Sequence, residues 1–247
     1  MMQLRHIKPL FRREFAGYFA TPLAVVFLVI FLSLSAALPL YVGGFFERDQ
    51  ADLMPFFEFH PWLYMVLVPA IGMRLWAEER KSGTLELLLT LPVTIGEAVL
   101  AKFLAGWAFL TLALALTFPM WITVNYLGHP DNGVILSGYF GSFLLAGALL
   151  AIASCFSALT RNQVIAFVLA VVASFLALLS GLDLVLNFFR AWAPRFVVDL
   201  VSSLSLLTHF DTLTKGLVDL RGLVFFGSTM VLGLYATVLI LTMRRGR

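Results

Sequence analysis

The chain has 247 residues, of which 61% are hydrophobic and only 13% charged, with a formal net charge of +3 and a single cysteine. Soluble domains run near half apolar and a quarter charged, so this balance excludes an ordinary soluble fold and predicts an all-α, polytopic membrane protein. The lone Cys155 excludes a disulfide framework. The basic excess sits where anionic lipid headgroups would meet it, so no nucleic-acid partner is expected.

Residues 1–21 come first. On a helix, Leu4, Ile7, Leu10, Phe11, Phe15 and Tyr18 fall on one side, and Arg5, Lys8, Arg12 and Arg13 mostly on the other. That pattern predicts an interfacial helix lying apolar side down, divided at Pro9, with Pro22 turning the chain into the first span. A plain basic flank would need no helix, and the sustained periodicity favours the helix.

Six apolar runs follow, at 22–42, 54–75, 103–124, 134–159, 164–182 and 223–243. They are read as spans across a hydrocarbon core of about 30 Å. The first run is expected to be retained, because it is span-length and lacks a small-x-small cleavage site. The second carries Pro55, Glu58, His60, Pro61 and Pro69, so its outer end should be irregular. A charge deep in lipid costs about 2.5–3.5 kcal/mol, so Glu58 should face water, protein or a cavity. Pro119 predicts a kink in the third span. Gly147, Ala151 and Cys155 form a small-residue row in the fourth, the usual mark of a helix-packing seam. Segment 183–221 holds Phe196, Val197, Leu200, Val201, Leu204 and Leu207 at helical spacing, which predicts at least one amphipathic helix at the outer leaflet. His6, His60, His129 and His209 are isolated, so no metal site is expected.

Orientation follows from the basic residues, which accumulate at the cytoplasmic ends of spans. With the N-terminus inside, twelve of the 17 Lys and Arg lie in or beside inner segments 1–21, 76–102, 160–163 and 244–247. Both termini are then cytoplasmic, and so is the run EERKSGTLELLL at 78–89. Read as a helix over 79–91, it gathers Glu79, Ser82, Gly83, Glu86 and Thr90 on one stripe, with leucines over the remainder. Ser82 or Thr84 would cap its start, and Pro92 would end it. Its physics alone predicts a cytoplasmic docking or interfacial helix.

AEERKSGTLELLLTLPVTIGEAVLAKFL resembles the stretch between the second and third spans of ABC-2 type transporter permeases. FRREFAGYFATPLAVV, ALTRNQVIAFV and SLLTHFDTLTKGLVDLRGLVFF resemble that family's opening, its turn between the fourth and fifth spans, and its stretch before the sixth. Thr21 stands where serine is usual, and Gly222 where Asp often stands. The resemblance runs nearly end to end and is closest to the branch of gliding-motility permeases and the nitrous-oxide-reductase maturation permease.

The resemblance implies a six-span permease subunit of an exporter, with residues 78–91 as a cytoplasmic coupling helix and re-entrant outer helices before the last span. Glu78, Glu79, Arg80, Lys81, Gly83, Thr84, Glu86, Leu88 and Leu89 would dock on the ATP-binding subunit. Arg161, Asn162 and Gln163 would make a secondary cytoplasmic contact, and His209, Phe210 and Asp211 an outer gate. Implied partners are two ATP-binding subunits, a second permease copy (identical or closely related), membrane lipid, and a periplasmic or membrane accessory protein. The membrane would be the bacterial inner membrane.

No G-x-x-x-x-G-K-[ST] phosphate loop occurs in the sequence, so this chain is expected to carry no cofactor and no enzyme activity, with ATP and Mg on the partner. A secondary transporter or channel is the alternative, but the spans show neither mid-span ionisable residues nor clear internal repeats. An intramembrane enzyme would need a catalytic set within the spans, and none is visible. The orientation is testable in a Cys155→Ala background. A cysteine at Asp131 should react with an impermeant thiol reagent from outside, and one at Lys81 should not; the opposite pattern overturns the orientation.

Overall fold

A computed structural model describes residues 4–48, 50–84, 93–180, 182–190 and 194–244, and every element among them is helical. Helix α1 spans Leu4–Phe19 without interruption. Pro9 does not divide it, because only one turn precedes the proline and few carbonyls lie behind its ring. The apolar side of α1 also departs from expectation. Ile7 and Leu10 are buried, and α1 packs chiefly on α6 (Ile95–Ala115) instead of resting that side on lipid. Tyr18 stacks on Phe109 with ring centroids 5.1 Å apart.

Thr21, in extended backbone, turns the chain into α2 (Pro22–Ala37), whose leading proline sits where a helix has no use for the N–H. Pro39 then forces a wider turn, since it cannot make the regular helix bond. Leu38–Val42 is a π-helical turn closed by the Gly43 N–H on Leu38 O at 2.9 Å.

The second apolar run resolves into α3 (Met54–Glu58), α4 (His60–Gly72) and α5 (Arg74–Ser82). The break at Phe59 matches the expected irregular outer end, and Glu58 there is exposed. A second break, at Met73, had no sequence signal beyond Pro69. Helix α4 has 13 residues, about 20 Å at 1.5 Å per residue. It is buried among α2, α8 (Asn132–Leu159) and α9 (Gln163–Leu179).

Helix α6 starts at Ile95, well before the expected residue 103. Thr94 and Glu97 form a capping box there. The Thr94 hydroxyl accepts the Glu97 N–H at 3.2 Å, and the Glu97 carboxylate accepts the Thr94 N–H at 2.9 Å. The helix stops at Ala115, and α7 (Phe118–Leu127) resumes it with Pro119 in its first turn. Side chains add hydrogen bonds at the break: the Thr117 hydroxyl donates to Leu114 O at 2.6 Å, and the Tyr139 hydroxyl to Thr117 O at 3.2 Å.

Helix α8 is the centre of the molecule, packing on α4, α5, α6, α9, α12 (Leu206–Thr214) and α13 (Leu220–Arg244). Its small residues allow close approach. A Cβ on Gly233 would come within 2.9 Å of the Ala151 carbonyl carbon, and one on Gly147 within 2.6 Å of the Met230 methyl. The Gly147–Ala151 row is therefore a seam inside the chain, between α8, α6 and α13. Serines add polar ties. Ser137 donates to Leu213 O at 2.7 Å, and Ser154 accepts the Trp76 indole N–H at 3.1 Å. His60, fully buried, meets Ser142 Oγ at 2.7 Å. Ser142 Oγ also lies 2.9 Å from Gly138 O, so one hydroxyl links α4 to the α8 backbone.

Among the described residues, four stretches are long and apolar enough to cross a membrane: Ala24–Val42, Ile95–Leu127, Asn132–Leu159 and Leu220–Met243. The other two expected spans fall short of that measure. The second is divided into three short helices, and the fifth is α9, with 17 residues. Segment 183–221 forms α10 (Asp183–Arg190), α11 (Arg195–Ser203) and α12. Ser205 caps α12 by accepting the Thr208 N–H at 3.2 Å, so the apolar row from Phe196 to Leu207 is shared between two helices.

The seam sets a prediction. Gly233→Leu must push α13 off α8, and overpacking of this kind costs about 1–3 kcal/mol. Gly227, where a Cβ would meet nothing within 4 Å, should accept Leu with little change. Thermal unfolding of the two variants in detergent should separate them clearly.

Candidate functional site

At one end of the bundle, α1, α5 and α6 meet around a buried ammonium. Lys102 Nζ lies 2.8 Å from Glu79 Oε1 and 2.9 Å from Glu14 Oε2, with its side chain only 5% exposed. The same nitrogen stands 5.5 Å from the centroid of the buried Trp76 ring, which adds a cation–π attraction. Arg13 Nη2 bonds the second oxygen of Glu14 at 2.7 Å, and Arg74 holds Glu78 bidentately at 2.7 and 3.1 Å. Burial by itself would raise the Glu14 carboxyl, but the charges and hydrogen bonds of Lys102 and Arg13 outweigh it and hold the group below its usual 4.5. The hydrogen bonds from Arg74 lower Glu78 likewise. These groups border a cavity of about 340 Å³, with Gly17, Tyr18 and Thr21 on its α1 side.

Local sequence explains why α5 presents its residues this way. The α4–α5 break at Met73 frees backbone groups, and a side chain from α8 satisfies them. Ser157 Oγ accepts the Trp76 and Ala77 N–H groups at 3.0 and 3.1 Å and donates to Met73 O at 2.8 Å. This is an N-cap supplied from another helix. It fixes Trp76 inward, which in turn sets Glu79 toward Lys102. At the far end, Gly83 adopts the left-handed conformation at φ 73° and closes α5.

That glycine overturns the continuous helix expected over 78–91. Residues 78–82 belong to α5, and Gly83 ends that helix, so the expected helix is not continuous. Ser82 is not an N-cap. It lies in the last turn of α5, donating to Glu78 O at 3.0 Å and meeting the Thr84 hydroxyl at 2.8 Å. Glu79, expected to face outward, is turned into the chain by Lys102. Glu86, Leu88 and Leu89 lie outside the described residues.

The remaining expected docking residues divide by direction. Arg80 reaches across to α8, its guanidinium 2.6 Å from Ala158 O, while Lys81, Ser82, Gly83 and Thr84 are exposed. The Arg80 contact brings the end of α5 beside the α8–α9 corner, where Arg161 and Asn162 are exposed. Asn162 also holds the local backbone, because its Oδ1 caps α9 by accepting the Val164 N–H at 2.9 Å. Gln163, the first residue of α9, is half-buried. The two segments expected on the cytoplasmic side thus share one surface.

The expected outer trio does not converge. As consecutive residues of α12 they point apart: Phe210 is buried in the core, His209 stacks on Phe225 at 4.3 Å, and Asp211 is exposed. Sequence reading missed Glu14, Arg74, Trp76, Lys102 and Ser157. A signal existed for two of them: Glu14 is the one acidic residue in the basic opening segment, and Lys102 interrupts an otherwise apolar run.

The sequence profile of the ABC-2 family transporter proteins matches residues 50–244. No curated protein matches the chain.

The junction makes a stability prediction. Lys102→Met leaves two largely buried carboxylates facing each other, and removing one partner of a buried ion pair costs about 3–5 kcal/mol. The low end applies, because Glu14 and Glu79 keep 19% and 16% of their side chains exposed. Adding Glu14→Gln to Lys102→Met should restore part of the loss. For pH, Glu14 is lowered on folding, so its contribution is complete above about 4.5 and fades as pH falls through its folded value. Unfolding curves from pH 6 to 3 should show this acid loss in the native chain and a smaller one in Glu14→Gln.

Proposed function

Because the chain belongs to the ABC-2 transporter family, we propose that it is the membrane subunit of an exporter, coupled to ATP hydrolysis on a separate chain. Two copies, identical or closely related, pair in the bacterial inner membrane with both termini cytoplasmic, and each completes six spans by counting the divided α3–α5 segment and the short α9. Two ATP-binding subunits, which carry the ATP and Mg, dock below. The gliding-motility and nitrous-oxide-reductase maturation branch remains the nearest by motif, and a periplasmic or membrane accessory protein belongs with that reading.

The observation that carries the docking surface is the hydrogen bond from Arg80 to Ala158 O, which holds the exposed end of α5 against the exposed α8–α9 corner. Lys81, Thr84, Arg161 and Asn162 then offer a polar platform, and Glu86, Leu88 and Leu89 complete the contact by family resemblance. Glu79 has a different part in this reading. It does not touch the ATP-binding subunit but ties α5 through Lys102 to Glu14, so a push on the docking surface moves α1 and α6 with it.

The test is recovery of the ATP-binding subunit with the purified chain. Lys81→Glu combined with Arg161→Glu should reduce it, as should Glu86→Lys, while each variant still inserts. Rim charges act mainly through association rate and salt dependence, and a buried pair at Glu86 would cost more, about 2–5 kcal/mol. Normal recovery and normal ATP-coupled transport in both variants would refute the surface. The isolated chain should hydrolyse no ATP.

A further inference from the structure

The charged cavity bordered by α1, α5 and α6 has a property that docking does not use: its wall carries both signs in balance. Arg13, Arg74 and Lys102 face Glu14, Glu78 and Glu79. A singly charged ligand would upset that balance, whereas a ligand carrying one charge of each sign preserves it. The donors and acceptors are also incompletely used. A guanidinium has five N–H donors. Arg13 gives one hydrogen bond to Glu14, and Arg74 gives its Nε and one Nη2 hydrogen to Glu78, which leaves N–H groups on both. On the acidic side, Glu79 Oε2 is buried and has no hydrogen-bond partner among the described residues. An orphaned carboxylate oxygen beside a cavity calls for an N–H or O–H donor.

Position narrows the ligand class. Thr21 lies in the cavity wall and is the residue from which α2 departs. One and two turns further along α2, Val25 and Val29 are each 59% exposed. An apolar stripe therefore runs from the level of a charged pocket down a helix long enough to cross a membrane. This is the profile of a phospholipid, with its headgroup in the pocket and an acyl chain along the stripe.

We propose that the cavity binds the headgroup of a phospholipid bearing a primary amine. The phosphate takes the remaining N–H groups of Arg13 and Arg74, in the bidentate manner guanidinium favours. The ammonium donates to Glu79 Oε2, with Glu78 at the rim. A trimethylammonium headgroup has no N–H to give that oxygen, and a glycerol headgroup brings a net negative charge to a balanced pocket. The inference is independent of ATPase docking and rests only on α2 crossing the membrane.

The test uses the full chain, delipidated in a nonionic detergent and titrated with dioleoyl phosphatidylethanolamine, phosphatidylcholine or phosphatidylglycerol in mixed micelles. Binding is read by native mass spectrometry and by the rise in melting temperature. The ethanolamine lipid should half-saturate at least about tenfold lower than either other lipid, the ratio expected for one hydrogen bond to a charged group. Glu79→Gln should erase that preference. Since this change also touches the Lys102 pair, Gly17→Phe provides a second arm. Gly17 borders the cavity, and a Cβ there meets nothing within 4 Å, so Phe should fill the pocket, leave lipid-free stability unchanged and abolish ethanolamine selectivity. Equal binding of the choline lipid, tighter binding of the glycerol lipid, or selectivity surviving in Gly17→Phe each overturns the proposal. So does soluble phosphoethanolamine matching the lipid, which would make this a site for a free phosphate compound.

Discussion

A helix in lipid gains nothing by hiding a leucine from its surroundings, so α8 must hold its neighbours by close approach and by hydrogen bonds. Its glycines and alanines let α4 and α13 come within contact of its backbone; a Cβ on Gly72 would collide with Ala153, and one on Gly233 with Ala151. Its serines then reach out at four levels, to Leu213, His60, Trp76 and Met73. Every other placement follows from this one helix. The short α4 can be buried at mid-bundle because α8 supplies the partners that a divided span lacks.

The same helix determines the chemistry at the charged end. Ser157 caps α5 from outside, Trp76 is locked beneath it, and the rotation of α5 that results aims Glu79 at Lys102. Desolvating an ammonium is expensive unless its partners are close and well placed. Lys102 has two carboxylates within 2.9 Å and an aromatic face, and its charge is thereby accommodated where α1, α5 and α6 join. The junction therefore ties the opening helix to α5 and α6 through buried charge pairs.

The opposite end is built differently. Helices α10 and α11 pack mainly on one another, while α12 is tied to α8 and α13. The Pro39 π turn is closed by the Gly43 N–H on Leu38 O, and the Thr117 break is tied by the Thr117 and Tyr139 hydroxyls.

Composition and hydropathy by themselves determined that the chain is a helical, multi-pass membrane protein, because apolar runs of span length admit no other solution in lipid. Motifs carried the family, since E-E-x-x-x-G-T and its companions keep their types at fixed spacing. What the sequence could not decide is the direction in which each polar residue points. Gly83 was legible as part of a motif, yet only its left-handed backbone in the folded chain shows that α5 ends there and that 78–91 is not one helix. Pro9 looked like a breaker and is not one, because it stands near the start of α1, where few carbonyls lie behind its ring. Glu79 and Lys102 stand on different helices and meet because Ser157 of α8 and the buried Trp76 of α5 set how α5 is turned. Tertiary structure decided their pairing for a physical reason: a buried charge selects its partner by distance in space, and no periodicity along the chain encodes that distance.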